Sequence, residues 1–246
     1  MGTFSGKTAL VTGAAVGIGR AVALKLAEEG ARLALVDINE EKLGAVREEC
    51  LAYGCDALVY RCDVSDESAV SAAVADAFGK LGSIDLLVNN AALWRCNALF
   101  IDTPVEEWKR FFDVNVMGTV YVTRAVLPKM LERQYGRIIN VASVAGVYGN
   151  RKMAHYSATK GAVISFTKAL AKEVADSGVL VNAVSPGTVS PSENEDLDFT
   201  KPSELSYLGR TGSDRENADL IAFLLSDAAS YITGQNIQID GGRRRI

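Results

Sequence analysis

KTALVTGAAVGIGRAVALKLAEEG, residues 7–30, is the stretch whose reading decides the fold. Residues 7–12 are short, β-branched and apolar on both faces, as a strand covered on both sides of a parallel sheet reads. Gly13, Gly17 and Gly19 follow at once, and RAVALKLAEEG then continues as a helix. A strand, a glycine-rich turn and a helix start make an anion site. Backbone N–H groups and the positive helix end face the phosphates, and the missing side chains admit the ligand. Its place after the first strand makes the glycine triplet a dinucleotide-binding candidate rather than a packing turn.

Outward from this unit, β-branched runs alternate with longer helical stretches. Further strands are expected at 32–37, 57–63, 84–90, 136–143, 179–185 and 236–240. Helix starts stand between them. Thr103-Pro104-Val105-Glu106 predicts an N-cap, a first-turn proline and a capping box, and Ser213-Asp214-Arg215-Glu216 predicts a second box. Ser65-Asp66-Glu67 places acids in a first turn. Such alternation predicts right-handed βαβ units. The expected fold is a single doubly wound α/β Rossmann-type domain over 1–246, with a seven-stranded parallel sheet and helices on both faces. Residues 186–209 break the rhythm with prolines, acids and weak periodicity. Excursions of that length inside a domain are usually functional, and this one is expected to be a substrate lid.

The totals narrow the function. The 246 residues are 48% hydrophobic and 23% charged, as in a soluble globular protein. A net charge of −4 gives no footprint for nucleic acid. Arg243-Arg244-Arg245 is too short to change this and reads as a solvated tail or part of a subunit contact. No apolar run suits a membrane span, and the first residues enter a strand without a signal peptide. Cys50, Cys55, Cys62 and Cys96 lack metal or redox spacing, and a single histidine leaves little for a metal site. The expectation is a cytoplasmic protein with reduced thiols and no metal.

The second strand ends in Asp37, where a carboxylate accepts hydrogen bonds from both adenosine ribose hydroxyls and repels a 2′-phosphate. No basic residue stands at Val16 in the turn or at Ile38 after the acid. That favours NAD over NADP. Alternatively, Asp37 caps the helix that begins near Asn39.

AHYSATKGA, residues 154–162, puts Tyr156 and Lys160 one helical turn apart on a common face. A free phenol ionises near ~10. A neighbouring ammonium favours phenolate and lowers that value, so the pair reads as a tyrosine general acid/base with its tuning charge. Ser157, Ala158, Gly161 and Ala162 let a cofactor, a strand or another subunit come close. Ser143, at the end of the fifth strand, sits where ligands bind in open α/β sheets, unless it is only a helix cap. Asp63, Asn89 and Pro186 fall at the same edge.

With TGAAVGIG at 12–19, Asp63-Val64, NNA at 89–91, Asn115, Ser143, YSATK at 156–160, PG at 186–187 and ITGQNIQIDGG at 232–242, the chain resembles the short-chain dehydrogenase/reductase family from about Lys7 to Gly242. The resemblance implies a proton exchange between Tyr156 and the substrate oxygen. Lys160 would also bind the nicotinamide ribose, Ser143 would polarise the carbonyl, and Asn115 would hold a relay water. Asp63 and Val64 would contact adenine, Asn89, Asn90 and Ala91 would run along the cofactor, and Pro186, Gly187, Thr188 and Val189 would border the nicotinamide. A homotetramer is the family's usual assembly. Ala92 stands where the family has glycine, and Pro191 replaces a threonine that Thr188 or Ser190 could replace in turn.

The expected activity is hydride transfer between NAD(H) and a small secondary alcohol or ketone. The alternatives are a 3-oxoacyl thioester reductase and, against the intact catalytic set, a non-catalytic nucleotide sensor. Candidate substrate residues are Trp94, Val144, Val147, Tyr148, Met153 and His155. For Trp94 the competing reading is core packing, and for His155 a structural or subunit contact. Glu193, Glu195, Asp196 and Asp198, if they face the pocket mouth, would disfavour strongly anionic substrates.

Overall fold

The computed structural model describes residues 2–190 and 196–244. Its strands are β1 (Thr8–Thr12), β2 (Arg32–Asp37), β3 (Ala57–Arg61), β4 (Leu86–Asn89), β5 (Gly136–Val141), β6 (Val179–Pro186) and β7 (Asn236–Ile239). The helices are α1 (Gly17–Glu28), α2 (Glu40–Leu51), α3 (Glu67–Leu81), α4 (Val105–Phe112), α5 (Gly118–Glu132), α6 (Val144–Tyr148), α7 (Ala154–Val174) and α8 (Asp214–Leu225). All seven strands join one parallel sheet in the order β3-β2-β1-β4-β5-β6-β7. This is the expected α/β Rossmann-type fold.

Every residue of β1, β4 and β5 is buried, because helices cover both faces. Val11 pairs with Leu35 on one side and Val88 on the other. The edge strands β3 and β7 are only part-buried. One apolar layer joins β1 and β2 to α1, α2 and α8 through Ala21, Leu43 and Ile221. The opposite layer joins the sheet to α3, α5 and α7 through Val74, Val126 and Leu170. Strand order reverses between β1 and β4, so their carboxyl ends open a crevice at the switch point.

Local chemistry sets the helix starts. Asp66 caps α3 by accepting from the Ser68 and Ala69 N–H groups, and Ser213 with Glu216 forms the expected capping box on α8. The box expected at Thr103 does not form. Pro104 occupies the N-cap of α4, and the Thr103 hydroxyl turns back to donate to Leu99 O. The third and fifth strands also stop two residues early, since Cys62-Asp63 and Ala142-Ser143 turn away into the crevice edge. No helix among the described residues is long and apolar enough to cross a membrane.

Candidate active site

The loops after β1 and β4 are knitted together. Thr12 Oγ1 accepts from the N–H groups of Asn90 (3.0 Å) and Ala91 (3.1 Å). Asn90 Nδ2 donates back to Thr12 O and Gly13 O at 3.1 and 3.0 Å. Gly13 has φ +64, and a Cβ there would stand 2.8 Å from Ala91 Cα. A Cβ on Gly19 would lie 2.0 Å from Gly13 O. Gly19 therefore lets α1 pack under the turn and is not itself a cavity residue, whereas Gly13, Val16, Gly17 and Ile18 line the open side. Asn90 was legible as a site residue and Thr12 opens the 12–19 motif, but nothing in the sequence says that the two clasp each other.

Asp37 supports the same turn. Its Oδ2 accepts from Ala15 N at 3.1 Å and its Oδ1 from Asn39 N at 2.9 Å. The cap of α2 is Asn39, which accepts from Lys42 N at 3.0 Å. Asp37 is thus not the helix cap, and it lines the cavity beside Ile38, which is 66% exposed.

Asn89 departs from expectation. Its side chain is buried in the core, donating to Thr123 Oγ1 at 3.0 Å and Asn140 Oδ1 at 2.9 Å. Asn140 in turn donates to Thr167 Oγ1 at 2.9 Å. This amide chain ties α5, β4, β5 and α7 through the sheet and does not reach the crevice.

Ser143 Oγ accepts from Ala145 N at 3.1 Å, so it caps α6 and faces the cavity at once. It also shares a hydrogen bond with Tyr156, which draws the phenol's pKa down. Burial outweighs that and pushes Tyr156 up to about 12. Lys160 does not produce the expected depression. Its Nζ donates to Val141 O at 2.7 Å and stands 5.9 Å from the Tyr156 ring centroid. Burial lowers the Lys160 pKa to about 8. Desolvation opposes both charges here, and the sequence spacing alone does not reveal that.

One neighbour of the small residues of α7 is a helix that the sequence reading did not name. A Cβ on Gly146 of α6 would meet Lys160 C at 2.5 Å and Gly161 N at 2.6 Å. It is α6, carrying Ser143 at its start, that rests on the α7 backbone.

Asn115 lies in a π-helical turn, Asp113–Met117, between α4 and α5. Its Oδ1 accepts from Leu93 N at 2.7 Å, while Nδ2 donates to Leu93 O at 2.9 Å and Thr159 Oγ1 at 3.1 Å. The side chain is buried outside the cavity and clamps the loop after β4 to α7.

One cavity of about 860 Å³ runs along the crevice. Asp37, Ile38, Asp63 and Val64 line one end. Ser143, Tyr156, Lys160 and Pro186 to Val189 line its body. Of the candidate substrate residues, Trp94, Val144 and Met153 face it. Trp94 is 48% exposed and stacks under Arg95, so it is a rim residue. Val147 and Tyr148 line a neighbouring hollow instead, with the Tyr148 hydroxyl bonded to Gln238. His155 is 1% exposed, packed on Phe111 (4.3 Å) and Trp108 (5.8 Å), away from the cavity. Helical geometry explains this, because the residue just before Tyr156 points elsewhere.

Residues with no sequence signal complete the walls: Arg110, Val114, Asn150, Lys201, Leu205, Asp214 and Arg243. They come from separate segments that only the fold brings together. Pro191, Glu193 and Glu195 lie outside the described residues. Asp196 and Asp198 do not line the cavity, and Asp198 pairs with Arg215 at 3.2 Å. Ser190 Oγ is engaged with Phe199 O at 2.6 Å and Thr211 at 3.0 Å, which leaves Thr188 facing the crevice.

A family model described as enoyl-(acyl carrier protein) reductase matches residues 13–244. A 3-oxoacyl-[acyl-carrier-protein] reductase of Staphylococcus aureus (strain MW2) is 42% identical over 96% of this chain and 97% of its own. A 2-dehydro-3-deoxy-L-rhamnonate dehydrogenase (NAD(+)) of Sphingomonas sp. (strain SKA58) is 40% identical over 98% and 97%. The crystal structure of an NAD+-bound xylitol dehydrogenase superposes with a TM-score of 0.90 at 37% identity, covering 97% of this chain and 99% of the other.

Proposed function

The chain belongs to the short-chain dehydrogenase/reductase family, and from that premise we propose that this oxidoreductase interconverts a small secondary alcohol and its ketone with NAD(H). One observation carries the reading: Ser143, Tyr156 and Lys160 share a cavity whose far end presents Asp37.

The residues fit a dinucleotide. Gly13 and Gly17 hold the left-handed backbone of the turn at φ +64 and +57 without side chains on its open side, and Asp37 with Ile38 offers an acid and no cation to the ribose. In this reading Val16 and Ile18 flank the pyrophosphate, Asp63 and Val64 the adenine, and Asn90 and Ala91 the middle of the cofactor. Pro186, Gly187, Thr188 and Val189 border the nicotinamide. When bound, the cofactor supplies or accepts the hydride.

The chain's own part is positioning and proton movement. In reduction the Tyr156 hydroxyl hands its proton to the substrate oxygen, and in oxidation it takes it back. The Ser143 hydroxyl donates to that same oxygen, where negative charge develops. Lys160 brings a cation beside Tyr156 and a donor for the nicotinamide ribose. Asn115 fixes Leu93 and Thr159, with one Oδ1 lone pair left for a relay water.

The test is a rate screen of purified protein with NAD and NADP against polyols, cyclic alcohols, steroids and hydroxyacyl thioesters. Turnover that is confined to NADP, or absent on every alcohol, would contradict the proposal. A second reading, a 3-oxoacyl thioester reductase, rests on the printed name of the Staphylococcus aureus relative. NADH-driven reduction of 3-oxobutanoyl-CoA that far outpaces simple ketones would favour it. We take a homotetramer as the assembly, supported by large side chains left exposed, Ile101 at 85% and Tyr231 at 103%. Light scattering on the purified protein decides it.

A further inference from the structure

The carboxyl-terminal tail does not trail into solvent. Tyr207 N donates to Gly242 O at 2.8 Å, Arg244 N donates to Leu205 O at 3.0 Å, and Ser206 bridges Arg243. This stitching brings Arg243 to the cavity wall. The guanidinium is also aimed. Its Nη2 donates to Asn150 Oδ1 at 2.7 Å, and Asn150 is anchored through its N–H to Ser157 Oγ at 3.2 Å, one residue beyond Tyr156. Arg243 makes no ion pair among the described residues, and most of its five N–H donors are uncommitted.

The charges along the cavity are segregated. The lining carboxylates are Asp37 and Asp63 at the adenosine end and Asp214, which feels Arg20 of α1, near the glycine turn. Beyond Tyr156 the described lining charges are all cations: Arg110, Lys201 and Arg243. Of these, Arg110 is drawn toward Glu107 at 3.6 Å, whereas Arg243 is held by Asn150 and by no carboxylate among the described residues. A planar guanidinium with free donors, held on a wall whose other charges are cations, matches a carboxylate better than a hydroxyl or a chain of methylenes.

We infer that Arg243 is a specificity-determining residue that binds a carboxylate at the end of the substrate remote from the reacting carbon, so the substrates are hydroxy acids and their oxo acids. This rests on the dehydrogenase reading above. The tail expected to be a solvated end or subunit contact becomes part of the site.

The test compares acetoacetate, 4-oxopentanoate and 5-oxohexanoate by initial rates of NADH oxidation, and 2-dehydro-3-deoxy-L-rhamnonate by initial rates of NAD reduction, each beside its methyl ester. At least one acid is expected to exceed its ester about tenfold in kcat/KM. Arg243→Gln should raise KM for that acid about tenfold, leave the ester's constants and the Kd of NADH unchanged, and Arg243→Lys should keep part of the preference. A wild-type enzyme that prefers esters or neutral polyols overturns the inference and leaves the dehydrogenase reading standing. Equal losses on acid and ester in Arg243→Gln overturn it too. A preference for 3-oxobutanoyl-CoA that Arg243→Gln abolishes would replace the carboxylate by a thioester's phosphate arm. Calorimetry needs no turnover: Tyr156→Phe loaded with NADH should bind the preferred acid, and Tyr156→Phe/Arg243→Gln should not. Absence of both turnover and binding on every probe overturns inference and reading together.

Discussion

Lys160 donates to the carbonyl oxygen of Val141 at 2.7 Å, at the end of β5, rather than to the phenol of Tyr156 on its own helix. The lysine is fully buried, so its ammonium is costly and its pKa falls to about 8. It is best understood as a charge held in reserve at the sheet edge.

That cost is measurable. Between about pH 8 and the unfolded value of 10.5, the unfolded chain holds a proton on Lys160 that the native state lacks. Wild-type stability should therefore rise with pH across that window, by at most ~1.4 kcal/mol per unit. Lys160→Met removes the buried charge and loses one hydrogen bond, worth ~1 kcal/mol. The ligand-free variant should melt higher than wild type at pH 7, with the gap closing by pH 10, while turnover is lost. A gap that does not move with pH counts against the buried ammonium.

Tyr156, pushed up to about 12 by burial, should stay protonated in the ligand-free protein well past the ordinary phenol range. The ultraviolet difference between wild type and Tyr156→Phe should show no phenolate below pH 10. Because the unfolded phenol ionises first, this group's contribution to stability is lost as pH rises from 10 toward 12. Tyr156→Phe should still bind NADH and turn over at least ~10²-fold more slowly, the usual lower bound for removing a general acid.

Asp37 and Ile38 should set cofactor choice. Ile38 is exposed beside the cavity, so Ile38→Arg places a cation there without disturbing packing. With Asp37→Ser it should shift the NADPH to NADH ratio of kcat/KM by about tenfold or more. The double variant also loses carboxylate bonds to Ala15 N and Asn39 N, and its melting point should drop by a few degrees, for ~1–2 kcal/mol. An unchanged ratio removes Asp37 from cofactor discrimination.

Gly146 and Gly161 face each other, yet they should respond differently to the same methyl group. On Gly146 it strikes the α7 backbone at 2.5 Å, whereas on Gly161 its one near neighbour is Gly146 O at 3.4 Å. Gly146→Ala should separate α6 from α7, shift Ser143 relative to Tyr156 and cost ~10²-fold in kcat/KM, as misplacement by an ångström does. Gly161→Ala should keep most activity. Paired kinetics and melting curves on the two variants decide it.

The sheet was legible because all of its strands are apolar runs with turn signals between them. The third and fifth strands were read two residues too long, where Cys62-Asp63 and Ala142-Ser143 still look extended in sequence, and the fourth, expected at 84–90, spans only Leu86–Asn89. The glycine turn, Asp37, Ser143, Tyr156 and Lys160 were legible because each sits at a strand end or within one helical turn. What sequence hid was direction. Spacing placed Lys160 on the face of Tyr156, but not its Nζ on Val141. It put His155 beside the tyrosine, but not its burial against Phe111. Nor could it distinguish Asn89 in the core from Asn90 at the crevice, or bring Arg243 and Asn150 together across ninety-three positions.

Because residues 205–207 are sewn to 242–244 backbone to backbone, the last turn of the chain and the loop over the crevice form one two-ply ribbon. Whatever is fused behind that ribbon becomes a weight on the doorway. An affinity handle attached at the amino end, which leads into the central strand β1, leaves that ribbon unburdened, and the same protein handled from its other end should release product on a different timetable.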